Sequence, residues 1–316
     1  MEFLRLVRFK NLVIIVLLQY LLRYAFILPI LERFRITPIL TEFRFALMSL
    51  ATVLLAASGY VINDYFDVKI DHVNRPSKVL IGKVYSRRTA LFLHIVFTLS
   101  GVLLGLFLAY VARKESYVVM YLSIPIILWY YSTTFKKQIL IGNILIAFLS
   151  ALVAYLVVSL EFAMLVRVYG ESILSSPACS IAWFWTSALA FFAFISTLGR
   201  EIVKDMEDVK GDLRGGCKTL PIEVGLKNSK IIVTLLNITL LGAIWFGVNE
   251  IDTLGENLNF VYILASILSL FILILMIQLF FAKEQKSFKR CSTLSKLVMI
   301  VGILFFAAIG YFMFRV

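Results

Sequence analysis

Charge is scarce in this sequence. Of its 316 residues only 16% are Asp, Glu, Lys or Arg, while 61% are hydrophobic and the mean hydropathy is +0.94. An ordinary globular domain is about 25% charged and about 45–50% apolar. A soluble fold of this size cannot hide so much apolar side chain and still cover itself with polar surface, so water-soluble enzymes, disordered chains and collagen-like repeats are excluded. Cysteine is scarce too. Cys179, Cys217 and Cys291 lie far apart, with no CxxC pair and no Cys/His cluster, so neither a disulfide framework nor a zinc site is supported. The two histidines, His72 and His94, are not placed to act as a base, His94 falling mid-span and His72 beside an acidic motif. No small-residue cleavage site follows the first apolar run, so Met1-Glu2-Phe3-Leu4-Arg5 leads into a retained span and not a signal peptide.

Long apolar runs are what the chain has instead. Stretches of about 17–25 apolar residues mark transmembrane helices. Nine are found, near 11–31, 45–63, 90–112, 117–132, 138–160, 180–199, 229–248, 258–282 and 294–314. The fold expected is therefore an all-α membrane bundle of nine transmembrane helices, forming one domain over residues 1–316. Arg23 lies inside the first span, where a charge is costly, and should face the bundle interior or a wet cavity. The segment 161–179 is left as a loop longer than a minimal bundle requires.

The formal charge is +12, from 31 Lys and Arg against 19 Asp and Glu. Twenty-two of the basic residues fall in the N-terminal tail and the loops after the even-numbered spans, and seven on the opposite side. Positive charge concentrates on the cytoplasmic side of membrane proteins, which puts the N-terminus in the cytoplasm and the C-terminus outside. Orientation accounts for most of the basic excess, and no nucleic-acid partner is implied.

The acids have their own asymmetry. Nine of the 19 lie in two segments on the same side: Asp64, Asp67 and Asp71, then Glu201, Asp205, Glu207, Asp208, Asp212 and Glu223. On a helix Asn63, Asp67 and Asp71 span roughly 80° of arc, and Asp205, Asp208 and Asp212 roughly 60°. Glu201 lies near the latter face, and Glu207 points away, toward solvent. Like charges stacked on one face repel, so a cation is expected to compensate. Hard oxygen donors suit Mg²⁺, which typically takes one or two carboxylates plus waters and phosphate oxygens. Arg75, Lys78, Lys83, Arg87 and Arg88 follow the first cluster, Arg200, Lys204, Lys210, Arg214 and Lys218 surround the second, and Lys136 and Lys137 follow span four. Carboxylates for metal and cations for phosphate oxygens equip a site for a diphosphate. Beside an apolar interior, an isoprenoid diphosphate is the ligand of choice, and some of the 14% aromatic residues would suit an allylic carbocation.

These residues resemble the UbiA superfamily of intramembrane prenyltransferases. Asn63-Asp64-x-x-Asp67-x-x-x-Asp71 is similar to its first aspartate-rich motif, and Asp208-x-x-x-Asp212 with Asp205 upstream to its second. Trp129-Tyr130-Tyr131-Ser132 through Lys136-Lys137 and Arg8-Phe9-Lys10-Asn11 resemble two further stretches. The run Arg200 to Asp212, with Lys218-Thr219-Leu220-Pro221-Ile222 after it, is similar to the digeranylgeranylglyceryl phosphate synthase branch, which alkylates a glycerol phosphate hydroxyl. After Asn74-Arg75-Pro76 the chain departs from the superfamily pattern and reads Ser77-Lys78-Val79.

The resemblance implies Mg²⁺-dependent prenyl transfer from an isoprenoid diphosphate, geranylgeranyl diphosphate being expected, to a lipophilic acceptor, geranylgeranylglyceryl phosphate being expected. It implies Asn63, Asp67 and Asp71 at one metal and Asp205, Asp208 and Asp212 at another. Asp67, Asp71, Asp208 and Lys136 would be catalytic, and Asn11, Lys78, Tyr131, Lys136, Arg200 and Lys204 would contact substrate. It places the protein in a bacterial or archaeal cell membrane with its site at the cytoplasmic face. The alternatives are prenylation of an aromatic acceptor (a hydroxybenzoate, a naphthoate or a chlorophyll-like ring) and, more remotely, transport.

Overall fold

Backbone N–H and C=O groups in a bilayer must be satisfied within the chain, which favours helices long enough to cross it. The computed structural model describes residues 1–253 and 259–315, without the side chains of Lys78, Asp252, Thr253 and Arg315. It contains α1 (Glu2–Leu6), α2 (Phe9–Leu21), a π-helical turn (Leu22–Ile27), α3 (Leu28–Arg33), α4 (Glu42–Asn74), α5 (Arg87–Ala112), α6 (Glu115–Thr133) and α7 (Ile141–Tyr169). Then follow α8 (Pro177–Arg214), α9 (Leu220–Glu223), α10 (Gly225–Thr253), α11 (Asn259–Phe281) and α12 (Gln285–Arg315). Among the described residues nine helices are long and apolar enough to cross a membrane, the run from α2 to α3 counting as one. The all-α fold and the nine spans are as expected, and the protein is an integral membrane protein.

Local chemistry explains several boundaries. Thr41 caps α4 by accepting from the Arg44 N–H at 3.4 Å, and Ser86 caps α5 by accepting from Thr89 N–H at 3.0 Å. Pro29, early in α3, cannot donate to the carbonyl one turn back and crowds it. The adjoining π-helical turn widens the first span where that bond is missing.

The two longest helices run well beyond the bilayer. At about 1.5 Å per residue, the 33 residues of α4 and 38 of α8 reach about 50 and 57 Å, against a hydrocarbon core about 30 Å thick. The apolar parts end near residues 63 and 199, and the helices continue through Asn74 and Arg214. Both acid-rich motifs ride on these extensions. The segment 161–179 is not the long loop expected. α7 runs to Tyr169, a 3₁₀ turn covers Glu171–Ser175, and α8 starts at Pro177. Glu161 interrupts the apolar pattern without ending the helix, because its charge is paired inside the protein.

The chain divides into two compact units, Met1–Lys137 with Val153–Thr186, and Gln138–Leu152 with Ser187 onward, so α7 and α8 each contribute to both. In the first unit, Leu6, Val7, Leu12, Ala57, Val61, Ile81 and Ala90 form a core that joins the N-terminal segment to α4, α5 and the turn at 81–85. α5 approaches α6 closely at Gly105, where a Cβ would collide with the Tyr121 ring. In the second unit Gly302 does the same for Phe192.

Candidate active site

The C-terminal end of a helix carries partial negative charge, so carboxylates there are disfavoured by about 0.3–1 kcal/mol each. Asp71 on α4 and Asp212 on α8 stand in the last turn, with Asp67 and Asp208 one turn before them. Sequences that break a local rule in this way do so at functional positions.

In the first unit the breach is compensated by lysine. The Asn63 Nδ2 donates to Asp67 Oδ2 at 2.8 Å, aligning the two side chains one turn apart. Lys136, on the 3₁₀ turn Phe135–Lys137 that follows α6, donates to Asp67 Oδ1 and reaches Asn63 Oδ1 at 3.5 Å. Asn63 is buried, and the Lys136 and Asp67 side chains are 12% and 15% exposed. An amide oxygen and a carboxylate oxygen thus converge on one cationic nitrogen. Hard oxygens aimed at a common cation fit a divalent ion such as Mg²⁺. Among the described residues no three His, Cys, Asp or Glu side chains gather closely enough to hold a metal by themselves.

Other expected residues lie in the same unit. Asp71 is half-buried one turn further along α4, and Tyr131 is half-buried near the end of α6. Asn11 donates to the Tyr60 hydroxyl at 3.3 Å. The Lys78 side chain lies outside the described residues. Asp64, next to Asn63, accepts from Arg8 Nη2 at 2.7 Å, and the Arg8 guanidinium lies 5.0 Å from the Tyr60 ring centre. Burial by itself would lower the pKa of Arg8, but the charges of Asp64 and, further off, Asp71 help raise it above its ordinary value.

In the second unit, Asp205, Asp208 and Asp212 are half-buried along one arc of α8. Asn143, at the start of α7, donates to Asp205 Oδ2 at 2.7 Å. Arg200 donates to Glu201 Oε1, and Lys204 Nζ stands 3.7 Å from Glu201 Oε2. Both cations expected to meet substrate are therefore drawn to one glutamate. Glu207 corrects the expectation that it faces solvent: it is only 7% exposed. Buried Ile202, Val203 and Met206 share its side of the helix, an arc of roughly 140°, so that side is packed. Arg200 also lines a cavity of about 10 Å³ with Ser196, Asn237 and Ser295, the room of about one water.

Sequence reasoning missed Asn143, whose only signal is an amide at the head of an apolar helix. It also missed the pairing of Arg8 with Asp64.

Comparison with known proteins identifies the family. The pattern of the family described as the UbiA prenyltransferase family matches residues 36–297. Digeranylgeranylglyceryl phosphate synthase from Sulfurisphaera tokodaii is 33% identical over 228 residues, covering 71% of this chain and 73% of that protein. The enzyme of the same name from Methanothermobacter thermautotrophicus is 35% identical over 195 residues, 60% of this chain and 59% of that protein. A solved structure from work on digeranylgeranylglyceryl phosphate synthase in membranes superposes over 98% of each chain, with a TM-score of 0.63 at 22% identity. A UbiA homolog from Archaeoglobus fulgidus bound to DMAPP and Mg²⁺ covers 97% of this chain and 99% of its own, with a TM-score of 0.53 at 18% identity. At such identities the two structures show a shared fold.

Proposed function

The chain belongs to the UbiA prenyltransferase family, and on that footing we propose that it transfers a geranylgeranyl group from geranylgeranyl diphosphate to geranylgeranylglyceryl phosphate. The whole chain is read as one prenyltransferase domain working in ether-lipid synthesis in an archaeal or bacterial cell membrane. Its N-terminus and its carboxylates lie at the cytoplasmic face and its C-terminus outside. The observation that carries this reading is the convergence of Asn63 Oδ1 and Asp67 Oδ1 on one cation at the end of an over-long apolar helix.

Asn63 and Asp67, with Asp71 beside them, would hold one Mg²⁺, and Asp208 and Asp212 would hold a second, with Asp205 kept in place by Asn143. Mg²⁺ would supply Lewis-acid neutralisation of the departing diphosphate. Lys136 contacts the diphosphate and adds a positive charge as negative charge develops on the leaving oxygen. Lys204, Arg200 and Lys78 are further contacts to substrate, with Asn11 and Tyr131 near the reacting groups. The bond between the prenyl C1 and the diphosphate oxygen breaks, its electron pair leaving with the diphosphate. The acceptor hydroxyl oxygen bonds to the allylic C1, and its proton passes to the released diphosphate. Neither histidine is used: His94 Nδ1 is engaged with the Ser58 carbonyl oxygen and His72 Nδ1 with that of Val68. The apolar helices exclude water that would otherwise capture the cation.

The test is product analysis with purified protein, labelled geranylgeranyl diphosphate, and geranylgeranylglyceryl phosphate offered beside a hydroxybenzoate. Labelled digeranylgeranylglyceryl phosphate should form with Mg²⁺ and not with EDTA. A labelled aromatic product, or no product, overturns the acceptor assignment.

A further inference from the structure

Asp64 stands inside the first acid-rich motif yet is turned from it. It follows Asn63 directly and so points about 100° around α4 from the Asn63 side chain. Asn63 and Asp67 share a face and a cation. Asp64 is instead engaged by a residue 56 positions earlier, Arg8, at 2.7 Å.

Arg8 is held firmly in place. Its backbone is left-handed, with φ 51° and ψ 50°, where it immediately precedes α2, a conformation that a non-glycine residue keeps only when its surroundings impose it. Before it, Leu6 and Val7 are 0% and 4% exposed in the core with Val61 and Ile81. After it, Asn11 N–H donates to the Arg8 carbonyl at 2.8 Å, and the Asn11 side chain donates to the Tyr60 hydroxyl. The Arg8 guanidinium covers the Tyr60 ring, one turn before Asp64 on the same helix. The N-terminal segment is thus pegged to α4 by apolar side chains, with a charged pair at its end.

Resting on the prenyl-transfer reading, we propose that Arg8 is a positioning residue for the first metal site. By engaging Asp64 it withdraws that carboxylate from the ligand set and fixes the rotation of α4 that presents Asn63 and Asp67 together. Arg8 touches neither metal nor diphosphate and acts through Asp64. The pair also keeps the local charge neutral, so metal affinity is set by Asp67 and Asp71 and not by every acid in the motif.

The experiment compares wild type, Arg8→Gln, Asp64→Asn, the double variant and Asp67→Asn in nanodiscs. Each is dialysed to equilibrium against Mn²⁺ with inorganic diphosphate, and bound Mn²⁺ is counted by electron paramagnetic resonance. Prenyl transfer is measured in parallel. Arg8→Gln leaves an uncompensated carboxylate, so it should bind Mn²⁺ about three- to tenfold more tightly while transfer falls at least about tenfold. Asp64→Asn leaves an uncompensated guanidinium and should weaken Mn²⁺ binding by no more than about fivefold. In the double variant Mn²⁺ affinity should return to within about threefold of wild type, since the two charge changes offset, while transfer stays low because the pair no longer fixes the rotation of α4. A double variant that binds Mn²⁺ as weakly as Asp67→Asn makes Asp64 a ligand and overturns the proposal. So does an Arg8→Gln variant that binds Mn²⁺ and transfers the prenyl group as wild type does. Should Arg8→Gln not fold, Asp64→Asn alone decides, because a loss as large as that of Asp67→Asn overturns it and retained binding supports it. Wild type that binds no Mn²⁺ and makes no prenylated product sinks the prenyl-transfer reading itself. Wild type that does both, with Arg8→Gln unchanged in binding and transfer, sinks only the role of Arg8.

Discussion

Arg23 Nε donates to Glu161 Oε2 at 3.2 Å, joining two side chains 138 residues apart that are 1% and 0% exposed. The same guanidinium donates to Glu42 Oε2 at 2.9 Å and to the Leu40 carbonyl at 2.5 Å, and it lies 4.6 Å from the Phe45 ring centre. Removing one member of a buried pair leaves the other charge uncompensated and typically costs about 3–5 kcal/mol, whereas replacing both by apolar residues of similar size is close to neutral. Arg23→Met, which leaves Glu161 buried without its guanidinium, should therefore lower the thermal midpoint in detergent sharply, and Arg23→Met with Glu161→Leu should recover much of the loss. Fluorescence-detected size-exclusion after heating measures both. A single variant as stable as wild type would show that the pair contributes nothing.

Lys136 has a different task. It balances Asp67 in the protein as it stands and, by the function proposed, meets the diphosphate when substrate binds. Lys136→Ala should cut kcat by about 10²–10³-fold, the range found when a group stabilising developing charge is lost. Lys136→Arg should not restore full activity, because a planar fork does not replace a compact ammonium between two oxygens. Steady-state kinetics of both variants check this, and wild-type rates in Lys136→Ala would remove the lysine from the mechanism.

Asn143 supports Asp205 from α7 through a 2.7 Å hydrogen bond. Partners that orient metal-binding side chains are commonly worth about 10–100-fold in metal affinity or activity. Asn143→Ala should raise the Mg²⁺ concentration needed for half-maximal transfer by about tenfold, and Asn143→Asp should do worse by setting two carboxylates together. Mg²⁺ titration of the transfer rate reads the effect, and an unchanged midpoint would make Asn143 a packing residue only.

Gly105 gives a stability prediction away from the chemistry. Because a Cβ there meets the Tyr121 ring, Gly105→Ala should destabilise by about 1–3 kcal/mol through overpacking. Gly105→Ala combined with Tyr121→Leu, which removes the ring, should be milder than Gly105→Ala alone, and thermal melts of the two variants test this.

Much of this was legible in the residues because hydropathy and helical spacing are local signals. The nine spans and the shared face of Asn63 and Asp67 needed nothing beyond about 20 consecutive residues. What escaped depends on tertiary packing. Arg23 signals that a partner exists, but the pairing with Glu161 is set by where α7 crosses, and hydropathy alone made Glu161 look like a helix end. Glu207 was misplaced because an acid near an apolar boundary reads as solvated, whereas α8 stays packed on the side of Met206. Asn143 was overlooked because one amide leaves hydropathy almost unchanged.

The lengths of α4 and α8 have a consequence for the lipid around them. Each is one continuous rod whose apolar part is seated in hydrocarbon and whose far end bears the carboxylates. A thinner bilayer favours tilt of such rods, and a thicker one draws their polar extensions toward the hydrocarbon, so either would change how deep Asp67 and Asp208 stand relative to the headgroups. Acyl-chain length would then act on the site through the shafts that carry the acids, with no contact at the site itself.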